Sequence, residues 1–156
     1  MRLFISIVTA AALSGCMANV QQQDVQQEDD TAGPLSAVHA FQAALVKGDE
    51  AAARHALAPE ALIYESGGAE TLDQYAAGHM KGDMAFLKAI QIQKLDEKQT
   101  LSRDLAMVTT RSRMSGEYKG KKLDLFSTET MALKRQPDGW RIVHIHWSSQ
   151  PAAKAH

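Results

Sequence analysis

The sequence lacks the motifs that identify several common enzyme classes. Its 156 residues include one cysteine, and they contain no Gly-x-Gly-x-x-Gly, phosphate-binding loop or Gly-x-Ser-x-Gly motif. These absences remove support for nucleotide-dependent and serine-hydrolase functions. The chain also lacks a basic excess, with a formal net charge of -1 at pH 7. We therefore expect no nucleic-acid partner, because contact with phosphates needs a basic surface.

The single cysteine, Cys16, lies where a secretory signal would be cut. An apolar run from Leu3 to Leu13 follows the cation Arg2 and ends in Leu13-Ser14-Gly15-Cys16. The run is too short to cross a bilayer as a mature helix. Its last four residues resemble the lipobox of bacterial lipoproteins, which implies cleavage before Cys16, lipidation of Cys16 and retention at a membrane. An ordinary signal peptide with an incidental cysteine is the alternative.

Composition divides the chain into three parts. We predict a signal peptide at 1–15, a disordered tether at 16–33 and one globular domain at 34–150. The tether is rich in Gln, Asp and Glu, so it cannot bury enough apolar surface to offset the entropy of ordering. The implied location is outside the inner membrane, anchored by lipid to the outer membrane and facing the periplasm.

The globular part reads as helices followed by strands, an α+β fold with helices packed on a curved antiparallel sheet. Helices are predicted at 34–47, at 50–57 with Asp49 as its cap, and from Thr71 to about Ala89. Strands are predicted near residues 61–65, 90–95, 101–114, 122–134 and 140–148. The order of these segments predicts that the helices cover one face of the sheet.

The third predicted helix carries two polar residues on its apolar face. Spacing of three and four defines an inward stripe, which comprises Leu72, Tyr75, Ala76, His79, Asp83, Phe86, Leu87 and Ile90. His79 and Asp83 interrupt this stripe one turn apart. They are either a structural pair at its edge or candidate catalytic residues lining a cavity, with Asp83 orienting the His79 ring and Tyr75 contacting a ligand.

The last predicted strand carries His144 and His146, which alternation places side by side on one face. Two histidines at this spacing can share a metal ion, but a site needs further ligands. Glu65, His79 and Asp83 are the candidates, and a divalent metal is the one cofactor that this pattern suggests. The alternative is that one histidine packs in the core and the other faces solvent.

Two glutamates are the remaining candidates for chemistry. Glu65 ends a strand beside Gly67-Gly68, where a carboxylate often faces the mouth of a pocket. Glu129 lies inside an apolar strand, on the same face as its apolar neighbours. We predict that Glu129 pairs with Arg111 or Arg113 and has a structural role.

The stretch from about Leu35 to Ser149 resembles the nuclear transport factor 2-like superfamily, and within it the SnoaL-like group. The resemblance rests on Gly48-Asp49, Tyr64-Glu65-Ser66-Gly67, the third-helix residues Tyr75, His79, Asp83 and Phe86, Glu129-Thr130-Met131, and the segment from Gly139 to Ser148. The ending also resembles that of the calcium/calmodulin-dependent kinase II association domain. The resemblance implies a cone-shaped fold with an internal pocket, and commonly a homodimer formed through the outer sheet face.

These observations leave three hypotheses for function. The first is a lipid-anchored protein that binds a small polar or amphipathic ligand through Glu65, Tyr75, His79, His144 and His146. The second is a SnoaL-like enzyme that performs acid–base chemistry of the isomerase, dehydratase or cyclase type. The third is a dimeric scaffold module. The first two require that imidazoles from two distant segments converge in one cavity.

Overall fold

The computed structural model describes residues 33–152 of the chain. The predicted signal peptide, the predicted lipidation site Cys16 and all of the predicted tether except Gly33 lie outside this range. Within the described residues, no helix is long and apolar enough to cross a membrane. The elements in chain order are α1 Pro34–Lys47, α2 Glu50–Ala56, β1 Leu57–Glu65, β2 Gly68–Thr71, α3 Leu72–Ala77, α4 His79–Ala89, β3 Ile90–Ser102, β4 Leu105–Tyr118, β5 Lys121–Gln136 and β6 Gly139–Pro151.

The first two helix boundaries follow the local signals in the sequence. Pro34 occupies the first turn of α1, where its missing N–H is not needed, and the helix ends at Gly48 with a left-handed φ of 75°. The Asp49 side chain then accepts a hydrogen bond from the Ala52 backbone N–H at 2.9 Å. The predicted cap of the second helix is therefore confirmed.

The predicted third helix is two helices. Thr71 begins α3 with a capping box, in which the side chains of Thr71 and Gln74 each accept a hydrogen bond from the other's backbone N–H. At Gly78 the backbone leaves the helical region, with φ -135° and ψ -82°, and α4 starts in a new phase. The interruption places Met80 and Met84 in the core, where the uninterrupted stripe predicted His79 and Asp83.

The six strands form one curved mixed sheet in the order β2-β1-β6-β5-β4-β3. Strands β3 to β6 are joined by short turns and pair antiparallel, as predicted. Strand β1 pairs with β6 in parallel, which the predicted antiparallel sheet did not include. A parallel pair needs a long connection, and here two helices and four strands between β1 and β6 supply it. The short edge strand β2 was also missed by the sequence pattern.

The helices cover the inner face of this sheet and form the core with it. In β4, Ala106, Val108, Thr110 and Ser112 are buried, whereas the residues that alternate with them face outward. Phe41 of α1 is fully buried, and its ring stacks on Trp147 of β6 with the centroids 6.5 Å apart. Towards one end of the sheet the inner face is not filled by side chains, and a cavity lies there.

Candidate functional site

A cavity of about 350 Å³ lies between helices α1 and α4 and the inner face of the sheet. This volume is within the usual range for sites that bind small molecules. Its apolar wall includes Leu45, Phe86, Leu87, Ile92, Met114 and Leu125. Its polar groups include Gln42, Glu65, Asp83, Lys94, Glu129 and several hydroxyls. The cavity is thus amphipathic, with three carboxyl groups at one apolar wall.

Strand register explains why two of the carboxyl groups meet. Glu65 of β1 and Glu129 of β5 are both direct neighbours of Trp147 on β6, one on each side. Side chains in one such row project from the same face of the sheet. Trp147 lines the cavity, so both glutamates face it as well. Asp83 lines the same cavity from helix α4, on the side opposite the sheet.

Asp83 is partly buried and is held by Tyr75. The Tyr75 hydroxyl donates a hydrogen bond to Asp83 Oδ2 at 2.9 Å. Burial raises the pKa of Asp83 above its ordinary value, although the hydrogen bond from Tyr75 favours the ionised form. Burial and the charge of Asp83 also raise the pKa of Tyr75, so the phenol stays protonated and acts as the donor. Within residues 33–152, no hydrogen bond occupies the second oxygen, Oδ1.

Glu129 is held more tightly, through both of its oxygens. The side chain of Gln42 donates to Oε1 and the indole N–H of Trp147 donates to Oε2, each at 2.7 Å. Burial nevertheless raises the pKa of Glu129, because both donors are neutral. This carboxyl group is largely buried and is oriented by uncharged partners.

The predicted pairing of Glu129 with an arginine is wrong. Arg111 stacks on the Phe126 ring and Arg113 pairs with Asp124, so both arginines lie on the outer face. The alternation within β4 indicates the same arrangement. Thr110 and Ser112 lie on the inward side of the strand, and Arg111 and Arg113 lie on the outward side. Sequence reasoning therefore misjudged the partners of Glu129, which are Gln42 and Trp147.

Glu65 lies exposed at the mouth of the cavity, as its position beside the two glycines suggested. Partial burial raises its pKa, and the negative charge of Asp83 raises it further. Three acids therefore share one cavity, each with a raised pKa. Such groups bind and release protons closer to neutral pH than ordinary carboxyl groups do.

His79 does not lie in the cavity. Its side chain is 72% exposed, and its Nδ1 is 2.7 Å from Glu70 Oε2. The hydrogen bond with Glu70 raises the pKa of His79. The predicted contact in which Asp83 orients the His79 ring is absent. The break at Gly78 turns His79 towards solvent, and Asp83 accepts a hydrogen bond from Tyr75 instead.

His144 and His146 face the other side of the sheet. They alternate with Ile145 and Trp147, which point inward, and the ring of His144 lies against Tyr64 at 5.1 Å between centroids. The three imidazoles therefore do not converge, which corrects the premise of the predicted histidine site. Across the part of the chain that the structure describes, no three His, Cys, Asp or Glu side chains are placed to hold a metal ion.

Comparisons with known proteins agree with this architecture. The sequence profile of the SnoaL-like domain matches residues 35–153. A crystal structure of a candidate ketosteroid isomerase from Shewanella frigidimarina is 44% identical to the chain, with a TM-score of 0.72, and the match covers 77% of this chain and 96% of that protein. A search of curated proteins gave no significant match.

More distant structures share the fold. A candidate dehydratase of the NTF2-like family from Streptomyces avermitilis is 19% identical with a TM-score of 0.63, and the match covers 78% of this chain and 96% of that one. The CaMKII hub of S. rosetta is 18% identical with a TM-score of 0.60, and the match covers 76% of this chain and 98% of the hub. The predicted nuclear transport factor 2-like fold is confirmed.

Proposed function

Because the chain belongs to the SnoaL-like domain family, we propose that its cavity binds a small amphipathic molecule. The observation that carries this proposal is the composition of the cavity, where three carboxyl groups face an apolar wall. Apolar surface supplies affinity, and a few placed polar groups fix orientation. The ligand residues in this proposal are Glu65, Asp83 and Glu129, with Tyr75 holding Asp83 in place.

One further observation supports a ligand. The hydroxyl of Thr110 is buried and has no hydrogen-bond partner among the described residues. A buried polar atom without a partner costs about 1–3 kcal/mol, so natural proteins rarely keep one. Thr110 is the direct neighbour of Glu129 across β4 and β5 and lines the cavity, where a bound molecule or an ordered water can satisfy it.

Filling the cavity is expected to weaken ligand binding. The fluorescent probe 2-naphthol has an apolar ring system and one hydroxyl, and its titration against the protein measures affinity. Met114→Trp places an indole in the cavity and should weaken 2-naphthol binding at least about tenfold. Leu105→Trp is the matched control, since Leu105 is on the outer face of the same strand and is 59% exposed. Equal affinity in the two variants, or no binding to the wild type, would contradict the proposal.

The geometry favours a second function, acid–base catalysis at the same site. Tyr75 holds one oxygen of Asp83, and no described residue hydrogen-bonds to the other, as a general base requires. Its raised pKa brings it nearer the pH at which a base works best. The similarity to a candidate ketosteroid isomerase supports proton transfer next to a carbonyl group as the reaction type. In this proposal Asp83 moves the proton and Glu129 faces the substrate.

We also propose that two copies pair through the outer face of the sheet. Leu62, Tyr64 and Met107 are large apolar side chains exposed there, at 40–45% of their full surface. The structural similarity to a CaMKII hub supports assembly. A scaffold role would use this outer face and leave the cavity unused.

The proposed location is the periplasmic side of the outer membrane, with a lipid on Cys16. Mass spectrometry of the envelope fraction should find a mature amino terminus at Cys16 that carries acyl chains. Cys16→Ala should leave the precursor uncut and without lipid, because the thiol is the attachment point. An unmodified, soluble wild-type product would contradict the anchor and support the ordinary signal peptide.

A further inference from the structure

A row of polar side chains crosses the floor of the cavity. In register, Lys94 of β3 lies opposite Ser112 of β4, Ser112 opposite Ser127 of β5, and Ser127 opposite Ser149 of β6. All four line the cavity. Neighbouring strands are about 4.8 Å apart, so the row extends over roughly 14 Å. We call Ser112, Ser127 and Ser149 the serine row.

The serine row lies between two different surfaces. On one side is the apolar row that Ile92, Met114 and Leu125 form across β3, β4 and β5. On the other side are Thr110 and Glu129, which are paired in the next inward-facing row. The floor therefore changes from apolar to hydroxyl to carboxyl along the strands.

Burial makes the hydroxyls of Ser112, Ser127 and Thr110 informative, whereas Ser149 at the end of the row is exposed. Ser112 is 7% exposed and Ser127 is 8% exposed, and Thr110 beside them is 7% exposed with its hydroxyl unpartnered. Alanine or valine at these positions would fill the same inner face without burying polar atoms. The unpartnered Thr110 hydroxyl is costly where it is buried, and the serine hydroxyls beside it give the cavity floor polar atoms that a ligand can contact.

We infer that the serine row and Thr110 select an uncharged, elongated amphiphile whose oxygen atoms lie along one edge. This inference rests on the proposed function and specifies its ligand class. The apolar face of the molecule would lie on the Ile92, Met114 and Leu125 row, and its hydroxyl or carbonyl oxygens would contact the serine row. Because a hydroxyl both donates and accepts, the row can pair with either type of oxygen.

The charges around the cavity exclude an anionic ligand from this inference. Three carboxyl groups line the space, and the cation there, Lys94, bonds to Glu97 and to His39. Lys94 therefore already has a counter-charge outside the cavity. An anion would meet more negative than positive charge in a partly buried site, where charges are poorly screened.

The test compares naphthalene, 2-naphthol and 2-naphthoate, which share one ring system and differ in their oxygen group. In the wild type, calorimetric titration should show 2-naphthol binding about tenfold more tightly than naphthalene and also more tightly than 2-naphthoate. In the double variant Ser112→Ala/Ser127→Ala, the preference for 2-naphthol over naphthalene should fall to about twofold or less. Naphthalene affinity should not weaken, because its contacts are apolar.

The control variant is Ser115→Ala, which removes a hydroxyl from the outward side of the same strand. It should keep the wild-type preference. Thermal unfolding of each variant checks that folding is intact, and Thr110→Val provides a second variant of nearly unchanged shape. Equal binding of naphthalene and 2-naphthol to the wild type, or a preference that survives in the double variant, overturns this inference alone. Failure of naphthalene and 2-naphthol to bind to the wild type overturns the proposed function as well.

Discussion

Replacing Phe41 by alanine is expected to lower the free energy of unfolding by about 3–5 kcal/mol. Phe41 is fully buried, and its ring stacks on Trp147 with an interplanar angle of 9°. Removal of the ring leaves a void between helix α1 and the sheet, because neighbouring side chains relax only in part. Urea denaturation of wild type and variant measures the change.

Phe86→Ala is the matched comparison. It should lower the free energy of unfolding clearly less than Phe41→Ala does, by about 1–2 kcal/mol. The sequence stripe predicted Phe86 in the core, but its ring lies half-buried on the cavity wall and packs edge-on against Tyr118 at 5.3 Å between centroids. Truncation there widens an existing cavity that opens to solvent. Equal losses of unfolding free energy in Phe41→Ala and Phe86→Ala would show that Phe86 lies in the core, and so that the orientation of α4 described above is wrong.

Replacing Asp83 by asparagine is expected to slow α-proton exchange in a bound ketone by about 10²- to 10⁴-fold, which is the usual contribution of a general base. Deuterium uptake by 2-tetralone, followed by NMR in heavy water, measures the rate. Asparagine keeps the shape of the side chain and can still accept the hydrogen bond from Tyr75. The loss should therefore come from the missing basic oxygen and not from a change in folding.

The pH dependence of this rate gives a second readout. Asp83 acts as a base only when ionised, and burial raises its pKa above 3.8. The wild-type rate should therefore rise with increasing pH through a pKa above 3.8 and then level off. On the plateau, His79→Gln should leave the rate unchanged, because His79 lies outside the cavity. Loss of its positive charge should move the rise in rate to higher pH, because that charge lowers the pKa of Asp83. No acceleration by the wild type would exclude the enzyme function and leave ligand binding in place.

Much of the fold was predictable because its signals are local. The caps at Asp49 and Thr71 depend on residues three positions away, and both were read correctly. The α+β order and most strand positions followed from apolar spacing, which depends on neighbours along one element. The resemblance to the SnoaL-like group likewise rested on short motifs, and the family is confirmed.

The candidate site was only partly predictable, because its residues are brought together from separate elements. Glu65 and Asp83 face the cavity as expected, but the three histidines do not. A single non-helical residue, Gly78, shifted the phase of α4 and exchanged the expected positions of His79 and Met80. A local spacing rule assumes an uninterrupted helix, so it could not include this change.

By itself, the sequence determined the α+β order, the residues at which α1, α2 and α3 begin, and the alternation of faces along β4 and β5. Only the tertiary structure decided which face of β6 is inward, that β1 lies parallel beside it, and that Glu129 receives neutral donors from α1 and β6. The physical reason is the range of the interactions. Caps and alternation depend on residues within one element, whereas a cavity exists only when register and helix phase are set together.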